Sequence, residues 1–384
     1  MSIQAALCRC ISPGDLLSAR SMDRAFLFVG IAQLVEHLPS KQVVAGSNPV
    51  ADSNTALDRL HNPAKPPGKG EIAMKNPHHH EMVKRAVKGK FYGHKVLNGK
   101  TTPMYPDAAE REFKRICNSY ARIMHNTLQE HLPELMDAYK AYQRGDSRYD
   151  DIRSVEDKVR AVFQKIAKEL EQKLSAFGLD DLVKKISKMT KNTALREWKR
   201  EVKATLGIDI FDDYFNGDFY EHALKRWIDE NVLKIKTMPN ESLGEMQKII
   251  MDGYRKGSSL TQITKQIQEE YKLTRRKAQL LARDQVATLN SQITKLQQQD
   301  AGCTHYRWSD SRDSRVRDCH RSLNGKVFSW NDPPEMWYDT KGRGRVYTGR
   351  RCHPGEDFCC RCVAIPVFDV DTVDVPIKPT ERNE

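Results

Sequence analysis

The sequence predicts an α+β fold, with a mostly helical N-terminal region followed by a small strand-containing C-terminal module. Over residues 105–300, apolar residues recur at spacings of three and four, which is the period of an amphipathic helix. After Ala301 and Gly302 this period stops, and short aromatic and β-branched runs separated by turns replace it. The change of period predicts a helical domain at 105–300 and a separate module at 301–370.

Three apolar faces run along the helical domain, and such faces are typical of core packing or subunit contact rather than of catalysis. The first comprises Phe113, Ile116, Cys117, Tyr120, Ile123, Met124 and Leu128. The second comprises Val159, Val162, Phe163, Ile166 and Leu170. The third comprises Ala278, Ala282, Val286, Leu289, Ile293 and Leu296. Between these faces lie Gly178, Gly207 and the pair Pro239-Asn240, where we expect helices to end.

The last part of the helical domain carries signals for two helices. Ser259 and Gln262 have the spacing of a capping box, which predicts a helix that begins there and ends near Tyr271. Thr274 is then the expected N-cap of a second helix.

The module is expected to consist of short strands, because its apolar runs are rich in aromatic and β-branched residues. The runs are Tyr306-Arg307-Trp308, Lys326-Val327-Phe328-Ser329-Trp330, Arg345-Val346-Tyr347 and Val363-Ala364-Ile365-Pro366-Val367. Leu323-Asn324-Gly325-Lys326 is the clearest hairpin signal between them. A polar tail at 371–384 follows the module.

The first 104 residues divide into two parts. Residues 74–104 are basic and irregular, which predicts a mobile arm. The adjacent His78, His79 and His80 belong to the composition of this arm, since three neighbouring residues of a flexible strand cannot all face one ion. Residues 1–73 are expected to be a spurious extension and linker, disordered and never selected as protein.

That expectation rests on residues 30–50, GIAQLVEHLPSKQVVAGSNPV, which have no clean helical or alternating period. Permitted codons for this stretch spell, in order, a D arm, an anticodon arm with the loop CTTCCAA, and a T arm. It therefore reads as a translated transfer-RNA gene, and Met74 is the expected start of the protein. Phe26-Leu27-Phe28-Val29 is too short to span a membrane, and the Met1 end lacks the regions of a signal peptide.

Net charge constrains the partners of the chain. The formal charge is +12 over 384 residues, and residues 1–73 hold seven Lys/Arg against six Asp/Glu, so nearly all of the excess lies downstream. An excess of this sign favours polyanions or an acidic protein partner, and it suits simple solubility equally well.

Thiols are concentrated in the module, since six of the nine cysteines lie between Cys303 and Cys362. Cys117 stands alone on a helical face and is expected to be a buried apolar residue. Without a signal peptide, reduced thiols or metal ligands are favoured over a disulfide framework.

A zinc site is one interpretation of this module. The module is too short to build a large apolar core, and a metal cross-link would stabilise it. In an extended backbone, Cys360 and Cys362 face the same side and offer two thiolates to one ion. With His353 and His320 they form the candidate ligand set. The paired CxxC spacing of zinc fingers is absent from the sequence, and the alternative is that the thiols pack in the core while His320 contacts Asp313.

A catalytic interpretation also has to be weighed. His320, Asp313 and Glu356, with Arg317 nearby, supply the residue types of a metal-dependent nuclease or transferase. The sequence contains no G-x-S-x-G, no phosphate-binding Walker loop and no H-E-x-x-H. Glu356 is equally explained as part of a turn after Pro354-Gly355.

Five basic residues are candidate contacts to nucleic acid, and their binding would be non-specific. They are Arg315, Arg317, Lys341, Arg343 and Arg345. Arg315 and Arg317 alternate with Val316 and would share one strand face. The alternative for these two arginines is internal pairing with Asp310 and Asp313.

The motifs of the second half occur in a recognisable order. They are Ala282-Arg283-Asp284-Gln285-Val286-Ala287-Thr288-Leu289-Asn290, Tyr306-x-Trp308, Asp313-x-Arg315-Val316-Arg317-x-x-His320, Leu323-x-Gly325-Lys326-Val327-Phe328-Ser329-Trp330, Pro333-Pro334, His353-Pro354-Gly355-Glu356 and Cys360-Arg361-Cys362. This order resembles the phage Mu F-like head morphogenesis (minor head protein) family over residues 240–370. The Gly/Arg-rich stretch within 335–352 and the thiols Cys319, Cys352 and Cys359 depart from the family pattern.

The resemblance implies a non-enzymatic minor head protein of a tailed phage or prophage, acting near the portal in capsid assembly and DNA packaging. It implies portal and other capsid proteins as partners, in the virion or in the host cytoplasm during assembly. A prophage also fits residues 1–73, because tailed phages often integrate at transfer-RNA genes.

Overall fold

A computed structural model describes residues 77–143, 151–210, 218–340 and 344–375. The predicted extension at 1–73 lies outside these residues, as do Lys341, Arg343 and the tail from residue 376 onward. Where the chain is described, the fold is α+β as predicted, with a mostly helical region followed by small antiparallel sheets. None of the helices within these ranges combines the length and the apolar character that crossing a membrane requires.

The helices of the described residues are α1 Pro77–Lys90, α2 Asp107–Gln143, α3 Asp151–Ser175, α4 Leu179–Leu206, α5 Asp218–Arg255, α6 Leu260–Asp300 and α7 Asp318–Leu323. Helices α2 to α6 pack around two apolar cores. The three predicted faces are buried in these cores, apart from the half-buried Ile123 and Leu296. Apolar periodicity therefore identified the inner side of the bundle correctly.

Two predicted helix ends are confirmed. Gly178 has φ 65° between α3 and α4, and Gly207 has φ 71° at the end of α4. Both angles are left-handed, a conformation that glycine adopts without the steric penalty of a Cβ atom. The backbone N–H of Gly207 donates to the carbonyl of Lys203 at 3.0 Å and closes the last turn of α4.

The predicted break at Pro239-Asn240 is wrong, because α5 continues through it. A proline inside a helix removes one hydrogen bond, which weakens the helix locally. Here Ile235, Met238 and Leu243 are buried on both sides of the proline, so packing against the bundle stabilises the continuous helix.

The predicted end of a helix near Tyr271 is also wrong, since α6 is one helix. Its capping box is confirmed: Ser259 Oγ accepts from the Gln262 N–H at 3.3 Å, and Gln262 Oε1 accepts from the Ser259 N–H at 3.0 Å. Thr274 does not cap a second helix. Its hydroxyl donates to the Glu270 carbonyl at 3.1 Å, a bond that a threonine makes inside a helix.

The strands are β1 Val96–Asn98, β2 His305–Ser309, β3 Val327–Ser329, β4 Glu335–Thr340, β5 Gly344–Arg351 and β6 Val363–Asp369. The first sheet has the order β1-β6-β2-β3 with antiparallel neighbours, and β4 and β5 form a separate antiparallel pair. The four apolar runs became β2, β3, β5 and β6, whereas β1 and β4 were not predicted.

The hairpin predicted at Asn324-Gly325 is not one, because these residues follow α7 instead of joining two strands. The polar start predicted for the tail is also wrong. Val373 and Val375 are fully buried, in an apolar cluster with Phe368 and Trp198.

Residues 77–104 differ from the irregular arm that composition suggested. In α1, Val83 and Val87 are spaced four apart and buried in the cluster that contains Trp198 and Phe368. Strand β1 then pairs with β6, with Leu97 opposite Phe368. The basic composition drew attention away from two valines at helical spacing. Because these valines are buried and β1 joins the sheet, residues 77–104 are an integral part of the fold.

Candidate metal centre

The module brings His320 together with Cys360 and Cys362. His320 lies on α7, and the two cysteines lie directly before β6. The loop between β5 and β6, which carries both cysteines, packs closely against α6. A Cβ atom at Gly355, where φ is 87°, would lie only 3.1 Å from the Ala287 carbonyl oxygen. The glycine of the His-Pro-Gly motif therefore permits the close approach of this loop to the bundle.

The three side chains form a compact, buried group. His320 Nδ1 lies 3.5 Å from Cys360 Sγ and 3.7 Å from Cys362 Sγ. All three donor atoms lie within 4.8 Å of one another, and the residues are no more than 4% exposed. The cysteines are free thiols in the structure. A histidine nitrogen and two sulfur atoms at such distances are donors that transition metals take.

Asp357 orients the histidine. Its Oδ2 atom lies 3.0 Å from His320 Nε2, so the Nδ1 atom faces the sulfur atoms. Asp357 is 4% exposed and also accepts from Arg317 Nη1 at 2.9 Å and Arg350 Nη1 at 2.6 Å. Burial alone would raise the pKa of Asp357, but His320 and the two arginines outweigh it and hold this pKa well below its usual range.

The thiols and the imidazole shift one another's pKa values. A hydrogen bond from Cys362 and the proximity of His320 hold the pKa of Cys360 well below its usual range despite burial. The Cys360 sulfur and burial in turn raise the pKa of Cys362. Burial alone would lower the pKa of His320, but hydrogen bonds to Asp357 and Cys360 outweigh it and raise the pKa to about 9.

His353, the fourth predicted ligand, is not part of this group. Its Nδ1 atom lies 3.0 Å from the Tyr306 hydroxyl and its Nε2 atom lies 3.5 Å from Lys295 Nζ. Burial and the Lys295 charge lower the pKa of His353 to about 3, so its ring is neutral. His353 is therefore a packing residue beside the group.

The structure does not assemble the predicted trio of His320, Asp313 and Glu356. Asp313 accepts from the backbone N–H of Arg315 at 2.8 Å, and Glu356 accepts from that of His353 at 2.7 Å. Each carboxylate therefore bonds to its own loop. The carboxylate that contacts His320 is Asp357.

The basic candidates fall into different environments. Arg317 pairs internally with Asp357. The alternative had named Asp310 and Asp313 as the internal partners. Arg315 is exposed and lies in a turn, so the two arginines do not share a strand face. The Arg345 guanidinium lies 4.2 Å from the centre of the Trp337 ring, an attractive cation–π contact.

The centre is also tied to the helical bundle. Arg361, between the two cysteines, donates to Glu110 on α2 through Nε at 3.1 Å and Nη2 at 2.7 Å. Asp284 on α6 accepts from the Cys359 N–H at 2.8 Å. Sequence reasoning missed the roles of Asp357 and Glu110, because an acidic residue in a turn or near a helix start carries no sign of a partner far along the chain.

Comparisons with known proteins agree with the motif order. The family model described as Phage Mu protein F like protein matches residues 244–365. A protein of Haemophilus influenzae described as uncharacterized is 32% identical over 173 residues, covering 45% of this chain and 36% of that protein. The minor head protein GP7 of Bacillus phage SPP1 is 25% identical over 157 residues, covering 36% of this chain and 48% of GP7.

The chain therefore spans less than half the length of either relative. No solved structure matches the chain. The matched segment begins within α5 and ends within β6, so it contains α6 and the whole candidate centre. Residues 244–365 are thus a Phage Mu F-like domain, as the order of their motifs predicted.

Proposed function

We propose that this protein is a non-enzymatic minor head protein that acts in phage head morphogenesis. The observation that carries this proposal is the Phage Mu F-like domain at residues 244–365, since the similar SPP1 protein is named a minor head protein. Its expected partners are the portal and other capsid proteins, in the virion or in the host cytoplasm during assembly.

The geometry of the centre favours an architectural role over a catalytic one. His320, Cys360 and Cys362 are each at most 4% exposed, so they present very little surface to a macromolecular substrate. The Asp357 carboxylate is already shared among Arg317, Arg350 and His320, which leaves it poorly placed to act as a base. Such a centre is suited to stabilising the fold of the module, to which we expect other head proteins to bind.

The proposal also includes a role in DNA packaging. The chain carries a formal charge of +12, and Arg315 lies exposed on the module. Basic side chains of this kind contact the phosphate backbone without reading its sequence. Contact with DNA would suit a protein that acts near the portal during packaging.

Deletion of the gene from its phage or prophage, with complementation in trans, tests this function. We expect the deletion to lower the yield of infectious particles and the wild-type gene to restore it. We expect an Asp313→Asn/Glu356→Gln double variant to restore it equally well. An unchanged yield after deletion would contradict a head function. Failure of the stably folded double variant to complement would instead favour the metal-dependent nuclease or transferase.

A further inference from the structure

We propose that His320, Cys360 and Cys362 bind a zinc ion through Nδ1 and the two Sγ atoms. The ion would join α7 to the start of β6. This inference goes beyond head morphogenesis and does not depend on it, because it concerns how the module is held together.

The distances between the donor atoms fit a tetrahedral zinc ion. With Zn–S bonds of about 2.3 Å and Zn–N bonds of about 2.0–2.1 Å, tetrahedral angles place nitrogen and sulfur about 3.6 Å apart. His320 Nδ1 lies 3.5 Å and 3.7 Å from the two sulfur atoms. The two sulfur atoms lie within 4.8 Å of each other. A single ion is therefore within reach of all three donors after small adjustments of the side chains.

The hydrogen bond from His320 to Asp357 prepares the histidine for metal binding. With Nε2–H donating to the carboxylate, loss of the Nδ1 proton on metal binding leaves the Nδ1 lone pair pointing towards the sulfur atoms. Histidine ligands of zinc commonly donate their other N–H to a carboxylate, which fixes the tautomer and the ring orientation. Asp357 thus supports the ligand without being one.

Charge balance favours a divalent ion at this position. On binding, a zinc ion would displace the protons of the thiols and of His320 Nδ1, and it would neutralise the two negative charges of the resulting thiolates. The negative charge of Asp357 is compensated separately by Arg317 and Arg350. Within the described part of the chain the group has three donors, so a tetrahedral ion would take its fourth ligand from solvent.

The position of the site explains what the ion would stabilise. His320 and Cys360 are 40 residues apart, and β3, β4 and β5 lie between them. The apolar cluster of the module is small and contains both cysteines beside Trp308 and Trp330. A bond through the ion would close this segment onto β6 and reduce the entropy that its folding loses.

Metal analysis of the full chain tests the proposal. The purified protein, refolded or expressed with zinc, is expected to hold about one zinc ion per chain by elemental mass spectrometry. Replacement of zinc by cobalt should give the visible bands of a tetrahedral ion and the near-ultraviolet charge-transfer band of thiolate ligands. Cys360→Ser and Cys362→Ser are expected to lose or weaken these signals. The neighbouring Cys359→Ser, which leaves all three ligands in place, should retain them.

The cobalt spectrum of the wild-type chain tests for thiolate ligands even when a ligand variant fails to fold. A folded wild-type chain that binds neither zinc nor cobalt would overturn the proposal, and so would a cobalt spectrum without thiolate charge transfer. The three side chains would then form a hydrogen-bonded group in the core. A Cys359→Ser variant that loses the signals together with the ligand variants would also contradict the assignment.

Discussion

Arg361 Nη2 lies 2.7 Å from Glu110 Oε1, and this pair joins the loop between the two cysteines to the first long helix of the bundle. Glu110 is 2% exposed and also accepts from Lys114 and from Arg283 Nε, the latter at 3.3 Å. One buried carboxylate thus links α2, α6 and the module. The candidate metal centre is therefore fixed to the helical region.

Replacing Glu110 should destabilise the protein as a whole. In Glu110→Gln the guanidinium groups of Arg361 and Arg283 keep their charges but lose the carboxylate. Removing one member of a buried ion pair costs about 3–5 kcal/mol. Urea unfolding should show this loss, while Glu171→Gln on the exposed side of α3 should stay within about 0.5 kcal/mol of wild type. Equal stabilities of the two variants would contradict this role of Glu110.

The contribution of Glu110 should also depend on pH. Burial alone would raise its pKa, but hydrogen bonds and charges of Arg361 and Lys114 outweigh burial and lower it from 4.5 to about 2. A lowered folded pKa means that the stabilisation is complete above pH 4.5 and is lost as the pH falls towards 2. The stability difference between wild type and Glu110→Gln should therefore shrink over this interval. A constant difference would show that Glu110 does not titrate as described.

Two glycines with the same backbone angle provide a matched test of packing. Gly302 has φ 79° and Gly325 has φ 78°, so alanine at either position costs about 1–2 kcal/mol of backbone strain. A Cβ atom at Gly302 would collide with the carbonyl oxygen of Thr372. A Cβ atom at Gly325 would meet no other part of the protein within 4 Å. Gly302→Ala should therefore lower stability by about 1–3 kcal/mol more than Gly325→Ala. Similar melting temperatures for both variants would contradict the packing of residues 370–375.

Arg315 and Arg317 should behave differently although the sequence presents them alike. Arg317 donates to the buried Asp357, and its loss leaves that carboxylate with fewer partners. We expect Arg317→Ala to lower stability by about 1–3 kcal/mol and Arg315→Ala to change it by less than about 0.5 kcal/mol. Chemical denaturation of the two variants measures this contrast, and the reverse order would exclude an internal role for Arg317.

The proposed role of Asp357 can be measured through metal affinity. Asp357→Asn should weaken zinc binding about 10–100-fold, because the amide orients the imidazole less well than the carboxylate does. Asp318→Asn, at the solvent-accessible start of α7, should leave the affinity unchanged. Competition with a chromophoric chelator gives both values. Unchanged affinity in Asp357→Asn would exclude this residue as a support of the histidine ligand.

DNA binding by the purified chain should be weak and strongly dependent on salt. Several phosphate contacts predict a loss of affinity of about 10³-fold or less between 50 and 200 mM salt, depending on their number. Fluorescence anisotropy with duplexes of unrelated sequence should show similar affinities for each. Binding that is insensitive to salt would contradict contact through basic side chains.

Local patterns predicted the parts of the fold that depend on neighbouring residues. The stripe at Ala278, Ala282 and Val286 is buried, and the capping box at Ser259 begins α6. The break at Pro239-Asn240, the helix end near Tyr271 and the N-cap at Thr274 were predicted wrongly, because tertiary packing overrode a local preference. The i, i+2 spacing of the cysteines correctly suggested that both face one point.

Contacts between distant segments could not be predicted from the sequence. Strand β1 pairs with β6, with Val96 opposite Asp369, and neither strand carries a signal for the other. The same holds for Asp357, which follows the His-Pro-Gly-Glu motif. Its role is seen only in the structure, where its carboxylate contacts His320. Periodicity shows which side of an element is apolar, and it does not show which distant element covers that side.

The decisive measurement for a head function is peptide mapping of purified phage particles by mass spectrometry. A minor head protein should give peptides from residues 77–375 at low copy in the particles, and the expected start at Met74 means none from residues 30–50. Abundance in the lysate together with absence from particles and from assembling heads would contradict the head function.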